Sequence, residues 1–478
     1  MKKSRIKNSN ILSDSKTEQS YNHNHIPELK RHALKTSIRE GTFASISSNL
    51  GDGFITPFAL ALNAQPIHIG ILSSLSGFLA QLAQYPGTRL MEKFSRKKIV
   101  LWFVFLQAIM WLFISALGIL MWKGIFQNYL IYGLIVFYSL LVFIGGIAIP
   151  AWFSWMGDIV SPESKGQYFS KRNRITSFFG LIAALSAAFI LDYYKAKGLA
   201  LLVFSIMFGL ASLFRFISYL LFRKQYAPKF RQKKRDYFSI WAFLKRYDNF
   251  GKFAVYHGFF NFAVMVASPF FNVYILKELN FSYSMFIITT VSYTIFYLLF
   301  LPLAGKFSDK YGNKRLTVIT NTFFIITPIL YSIVKAPILI ILLPQLSAGI
   351  ASAASSISFS NFIYDSVSQK HRSICITYTN ILIGIGTLLG SLAGGLIVNY
   401  LHPPFMSPYI FVFLVAAALR FLVAIYFLPQ IKEVKKVSRL PPSYAVVSHP
   451  IHFLHVESTR VINLPEKLLG KFKSLKIF

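Results

Sequence analysis

The chain has 478 residues, 54% hydrophobic and only 14% charged, with a formal net charge of +33 and a mean hydropathy of +0.52. That balance excludes an ordinary soluble domain, because about 20 consecutive apolar residues already cross a bilayer. The Lys and Arg residues sit in short loops between apolar runs, which argues against a nucleic-acid surface and for anchoring at a membrane.

In chain order, residues 1–38 are polar and read as a disordered cytoplasmic tail with no secretory leader. Twelve apolar spans follow, at 41–63, 67–91, 99–121, 129–157, 174–194, 198–222, 252–277, 284–305, 316–334, 337–363, 376–400 and 408–428. Without water to satisfy the backbone, such spans must be helices, so the expected fold is an all-α integral membrane protein. The loops at 92–98, 158–174, 223–252, 306–315 and 364–375 carry 24 Lys or Arg, and the alternate loops carry 5. That bias expects a multi-pass protein of the cell membrane with both termini in the cytoplasm. Cys375 is the only cysteine, which excludes an intrachain disulfide and a CxxC metal site. Residues 431–478 form a basic tail in which Leu468, Leu469, Phe472 and Leu475 share one helical face, as in a helix lying on an anionic leaflet. His449, His452 and His455 are three apart, but Pro450 interrupts any helix there, so no metal is expected.

The chain is internally duplicated. Glu92-Lys93-Phe94-Ser95-Arg96-Lys97-Lys98 is an eroded copy of the turn Gly305 to Arg315, found 217 positions later. Asp158 and Asn173 match Asp365 and Asn380 at an offset of 207, and Lys165 matches Arg372 likewise. Asn49 and Thr56-Pro57-Phe58 match Asn261 and Ser268-Pro269-Phe270 at an offset of 212, and Arg215 answers Arg420. The expected organisation is a six-helix bundle at 39–222, a basic linker at 223–251 and a second bundle at 252–430.

These residues resemble the major facilitator superfamily, of prokaryotic type. Its loop signature between the second and third helices runs Gly-x-x-x-Asp-Arg/Lys-x-Gly-Arg/Lys-Arg/Lys. Gly305, Asp309, Lys310, Gly312 and Lys314 fit it, followed by Arg315, with Asn313 a departure. The first copy keeps Glu92, Lys93, Arg96 and Lys97 but loses both glycines. Asp158 to Gly166 also looks like the Pro-Glu-x-x-Arg-Gly turn of many prokaryotic members, with Lys165 in the Arg place. The fifth span has no Gly-Pro pair, which counts against the drug/proton antiporter branch. The resemblance covers about 40–430 and implies two six-helix repeats that rock around a midplane site. It also implies that Asp309 and Glu92 latch the cytoplasmic ends in one state.

Asp52 is the only carboxylate near the middle of an expected span, and acids at that depth are costly and usually functional. It lies on a polar stripe with Asn49 and Thr56, and His257, Asn261, Ser268 and Asn272 form a matching stripe in span 7. Two such stripes facing one cavity would bind a substrate, with Asp52 carrying a coupling proton. Arg215 and Arg420 are expected to snorkel or to pair with Asp158 and Asp365, and the five glycines of span 11 to serve packing. No phosphate loop, HExxH or GxSxG motif is present, so no enzyme and no cofactor is expected. The functional expectation is a monomeric secondary transporter of a small organic solute, proton-coupled through Asp52. A uniporter of the same fold and a non-transporting receptor are the alternatives. Substrate and direction are not written in the sequence.

Overall fold

The computed structural model describes residues 5–161, 165–228, 243, 245, 248–367 and 371–434. Among these, eleven helices are long and apolar enough to cross a membrane: Pro66–Leu90, Arg96–Trp122, Leu130–Ile159, Gln167–Lys195, Ala200–Lys224, Asn249–Glu278, Tyr283–Tyr311, Asn313–Ile333, Pro337–Ser366, Cys375–Tyr400 and Pro408–Gln430. They are spans 2 to 12. Span 1 is the end of the helix Arg5–Leu50, continued after an interruption by a turn at Asp52–Phe54 and a short helix Ile55–Ala61. The twelve-span expectation is met. The linker residues 229–242 and the tail beyond 434, including its amphipathic stretch and its three histidines, lie outside the described residues.

The tail expected to be disordered to residue 38 is instead helical from Arg5. Ala33 and Ser37 are fully buried and Glu40 nearly so. These three positions recur at i, i+4 and i+7, so they extend the inward face of span 1 by two turns beyond its apolar stretch. Hydropathy alone does not register them.

The duplication is visible in the packing. Span 1 packs on spans 5 and 6, as span 7 packs on spans 11 and 12. Spans 2 and 3 pack on span 4, as spans 8 and 9 pack on span 10. The two halves meet along two seams, span 2 against span 11 and span 5 against span 8.

The glycines of span 11 divide between two contacts. A methyl group on Gly386, Gly390 or Gly394 would overlap the span 7 carbonyls of Gly258, Phe262 and Val266. Gly395 lies instead on Gly70, and Gly384 faces Gln81, both in span 2. With nothing but lipid outside, close backbone approach of this kind is what holds membrane helices together.

The apolar cores differ at the two ends. At the end opposite the motif loops, one continuous cluster joins Phe54, Phe204 and Phe208 of the first half to Phe270, Phe286 and Phe413 of the second. At the motif end the clusters are separate, one around Trp155 and Phe222, the other around Phe253 and Phe362. The halves are therefore joined at the far end and keep their own cores at the motif end.

Candidate functional site

The interruption in span 1 has a counterpart at the repeat-related place. Span 7 is a helix to Met265, loses its regular bonding at Val266 and Ala267, and resumes at Ser268–Val273. The cause is local. Pro57 and Pro269 lack the N–H that would close the preceding turn, and both sit just beyond the break. The short segments after the breaks, Ile55–Ala61 and Ser268–Val273, touch each other across the two halves. Broken helices at matching positions are where transporters of inverted or duplicated architecture bind their solutes, because the freed backbone groups are available to a ligand.

Asp52 lies in the first break and is exposed, as are Ser48 one turn before it and Gly53 after it. A methyl group at Gly53 would meet nothing, so this face borders open space. The hydroxyls of Ser48 and Tyr138 lie beside the Asp52 carboxylate, and the Arg215 charge acts on it. Arg215 donates from Nε to Gln107 Oε1 at 2.9 Å and again through Nη2. A second acid, Glu40, is 2% exposed. It accepts from Arg172 Nη2 at 3.4 Å and from Ser218 Oγ at 2.9 Å, and Arg215 acts on it as well. Arg172 also donates to Ser37 O at 3.3 Å and lies over the Trp152 ring at 4.8 Å.

The second half has the same frame without the acids. Arg420, 1% exposed, donates to Phe324 O, Val264 O and Ala263 O at 2.5, 3.0 and 3.4 Å. Phe324 corresponds to Gln107, and Val264 to Asp52, at the repeat offsets found in the sequence. One guanidinium thus faces a carboxylate and an amide in the first half, and in the second two main-chain carbonyls just before the span 7 break and one of span 9. The expectation that Arg215 and Arg420 reach Asp158 and Asp365 is corrected: both lie too deep, where intramembrane partners replace snorkelling.

Asp158 and Asp365 hold the motif loops instead. Arg96 Nη1 pairs with Asp158 Oδ2 at 2.7 Å and donates to Ser154 O at 2.8 Å. At the corresponding position Asn313 Nδ2 donates to Asp365 Oδ2 at 2.8 Å, while its Oδ1 accepts from Ser308 Oγ at 2.5 Å. The residue that departs from the family signature makes the equivalent link by donating from a neutral amide to the carboxylate. Lys97 Nζ donates to Arg223 O and Gln225 O, both at 2.8 Å, and so satisfies the carbonyl end of span 6. Gly312 has φ of 94°, a conformation that strains any side chain. Glu92, Lys93, Asp309 and Lys310 are exposed. Lys314 donates its backbone N–H to Glu433 at 2.8 Å, and Arg315 reaches Tyr311 O at 3.3 Å. A methyl group at Gly305 would meet nothing. The Arg372 side chain and residues 162–164 lie outside the described residues.

The two polar stripes fare differently. Asn49 donates to Ser45 O at 2.9 Å and abuts Gly180 of span 5, while Thr56 is half-buried. His257 and Asn261 line one cavity of about 210 Å³ with Ser355, Ser356, Phe324 and Phe359. His257 is 7% exposed and its Nε2 has no hydrogen-bond partner. Asn261 donates to Ile383 O at 2.9 Å and to Thr387 Oγ1 at 2.5 Å. Ser268 bonds back to Val264 O at 2.9 Å, and Asn272 is half-buried. This cavity is lined by spans 7, 9, 10 and 11 only, so the stripes do not converge on it. Sequence reading missed Glu40, Arg172 and Tyr138. The signal for Glu40 was present, since it continues the face of Ser37 and Ser47, but it lies one residue before the apolar run.

Twelve helical spans in two packed repeats, with paired breaks and paired motif loops, define a membrane transporter rather than an enzyme. A profile of the Major Facilitator Superfamily matches residues 41–271 and again 253–462, and the chain belongs to that superfamily. A search of curated proteins finds no match. Among solved structures, a variant of the nucleoside transporter NupG is similar at 17% identity and a TM-score of 0.64, covering 83% of this chain and 100% of that one. A bacterial homologue of the iron transporter ferroportin, in an inward-facing state, has 14% identity and a TM-score of 0.64 over 84% and 99%. An auto-inhibited peptide transporter of the POT family has 14% identity and a TM-score of 0.65 over 86% and 99%. At such identities the likeness is one of fold.

Proposed function

We propose that this protein moves a small organic solute across the cell membrane by alternating access, coupled to protons through Asp52, with the motif end and both termini in the cytoplasm. One observation carries the reading. The Asp52 carboxylate is exposed at the broken point of span 1 beside the hydroxyls of Ser48 and Tyr138, with the Arg215 charge acting on it. An acid so placed can take up and release a proton as the halves rock, and it costs about 3 kcal/mol or more if it serves nothing. The second half offers neutral groups from its own separate cavity, His257 Nε2 foremost, since that nitrogen is buried and unpartnered. Glu40, Arg172 and Arg215 keep the balance of charge behind Asp52. The separate cores at the motif end support a state open towards the cytoplasm, with the protein acting as a monomer.

The test is Asp52→Asn in proteoliposomes, after a thermal-shift screen against metabolites has supplied a transported solute. Coupling predicts loss of pH-driven accumulation with counterflow retained. Unchanged uphill accumulation would leave a uniporter in which Asp52 is structural.

A further inference from the structure

The two seams between the halves are built differently at the far end. On one side span 2 meets span 11 through small residues, with Gly70 on Gly395. On the other side span 5 meets span 8 around an acid. Asp192, in the last turn of span 5 and half-buried, accepts from the backbone N–H groups of Tyr283 and Ser284 at 2.7 and 2.8 Å, and from Ser284 Oγ at 2.5 Å.

Tyr283 and Ser284 are the first two residues of the span 8 helix. Its own cap, Ser282, serves only Met285 N–H, at 3.2 Å. The first N–H groups of a helix have no partner within it, and a carboxylate there gains from the helix dipole as well. In this protein that partner comes from the other half of the molecule. Around it Lys195 lies over the Tyr283 ring at 5.0 Å, Phe204 stacks edge-on to the same ring at 5.7 Å, and Lys277 donates to Ala64 O at 3.2 Å.

We propose that Asp192 is the latch that holds the far end shut: its bonds to the head of span 8 must break before the halves can open on that side. All three donors are left facing water when the halves part, so breaking them is affordable and reversible, whereas an apolar seam would only slide. The contact couples the end of one repeat to the start of a span in the other, which makes it sensitive to rocking. The inference rests on the alternating-access reading.

The experiment uses the full-length protein with Cys375→Ser in lipid nanodiscs, with spin labels on one pair of cysteines at each end. Gln127→Cys with Phe405→Cys reports the far end, and Lys98→Cys with Pro429→Cys reports the motif end; all four sites are exposed. Asp192→Ala should raise the ratio of long to short far-end distances by about 10-fold or more, given three charge-assisted bonds lost. The motif-end distance should shorten in step, and Asp192→Glu should restore the parent distribution. Ser284→Ala, which removes only the hydroxyl bond, should give a smaller shift in the same direction, and it serves if Asp192→Ala does not fold. Two far-end distances in the parent whose ratio these variants leave unchanged would overturn the latch while the rocking reading stands. A single unchanging distance at both ends, in parent and variants alike, would overturn the latch and the rocking reading together.

Discussion

At the residue scale, the chemistry of the first half depends on how few charges are shared among many partners. Glu40 and Arg172 form the buried pair, Ser218 adds a hydrogen bond to the acid, and the aromatic face of Trp152 supports the cation. Removing one member leaves the other charged and poorly solvated, which is more damaging than losing the pair. Glu40→Leu is expected to cost about 3 kcal/mol and to lower the thermal denaturation midpoint in detergent clearly. Glu40→Gln, which can still accept from Ser218 and Arg172, should lose about a third of that. Equal losses in the two variants would mean that the carboxylate charge contributes nothing. The same logic explains why Arg420 needs no acid: two carbonyls at the span 7 break and one of span 9 supply its acceptors.

At the scale of the elements, the paired breaks and the glycine face make opposite demands on the backbone. The breaks need freedom, which Pro57 and Pro269 supply by removing a hydrogen bond. Span 11 needs closeness, which Gly386, Gly390 and Gly394 supply by removing side chains. Gly390→Ala forces a methyl against Phe262 O, and overpacking of this sort costs about 1–3 kcal/mol. Gly53→Ala places its methyl in open space and should stay within about 0.5 kcal/mol of the parent. Comparing their denaturation midpoints checks the pair; a destabilised Gly53→Ala would mean that the break is closed in the native protein. Pro57→Ala restores a backbone donor, so the break should tighten and transport should slow while the midpoint holds or rises. The assay is initial uptake rate against midpoint for the same preparation.

At the scale of the molecule, the joined core at one end and the separate cores at the other describe a hinge that has closed on one side. The motif loops lie at the open end, with Asp309 and Glu92 both exposed there. Asp309 sits in the faithful copy, beside the tight turn at Gly312, and Glu92 in the eroded one. Asp309→Asn is therefore expected to move the balance between the two open states more than Glu92→Gln does, measured as the motif-end distance between labels at Lys98 and Pro429. Equal effects, or none, would leave the loops as topology signals only.

Much of this organisation was legible in the chain. Span number, duplication and family follow from local sums and repeated motifs: roughly 20 apolar residues make a span whatever surrounds them, and an offset of 212 or 217 is read directly from the letters. Contact between polar groups is of another kind. Arg96 reaches Asp158 and Arg215 reaches Gln107 because of how each helix is rotated about its axis and how deep it sits, and a rotation of one residue exchanges such partners. The burial of Glu40 depends on span 1 continuing as a helix past its apolar stretch, which packing against spans 5 and 6 decides. The sequence by itself therefore determined a duplicated twelve-span membrane protein with a repeated loop motif. Only the tertiary structure decided which acids are buried, where the two helices break against each other, and that Asp192 joins the halves at the end where they are closed. Hydropathy is additive along the chain, whereas hydrogen bonds between helices exist only once their mutual rotation is fixed.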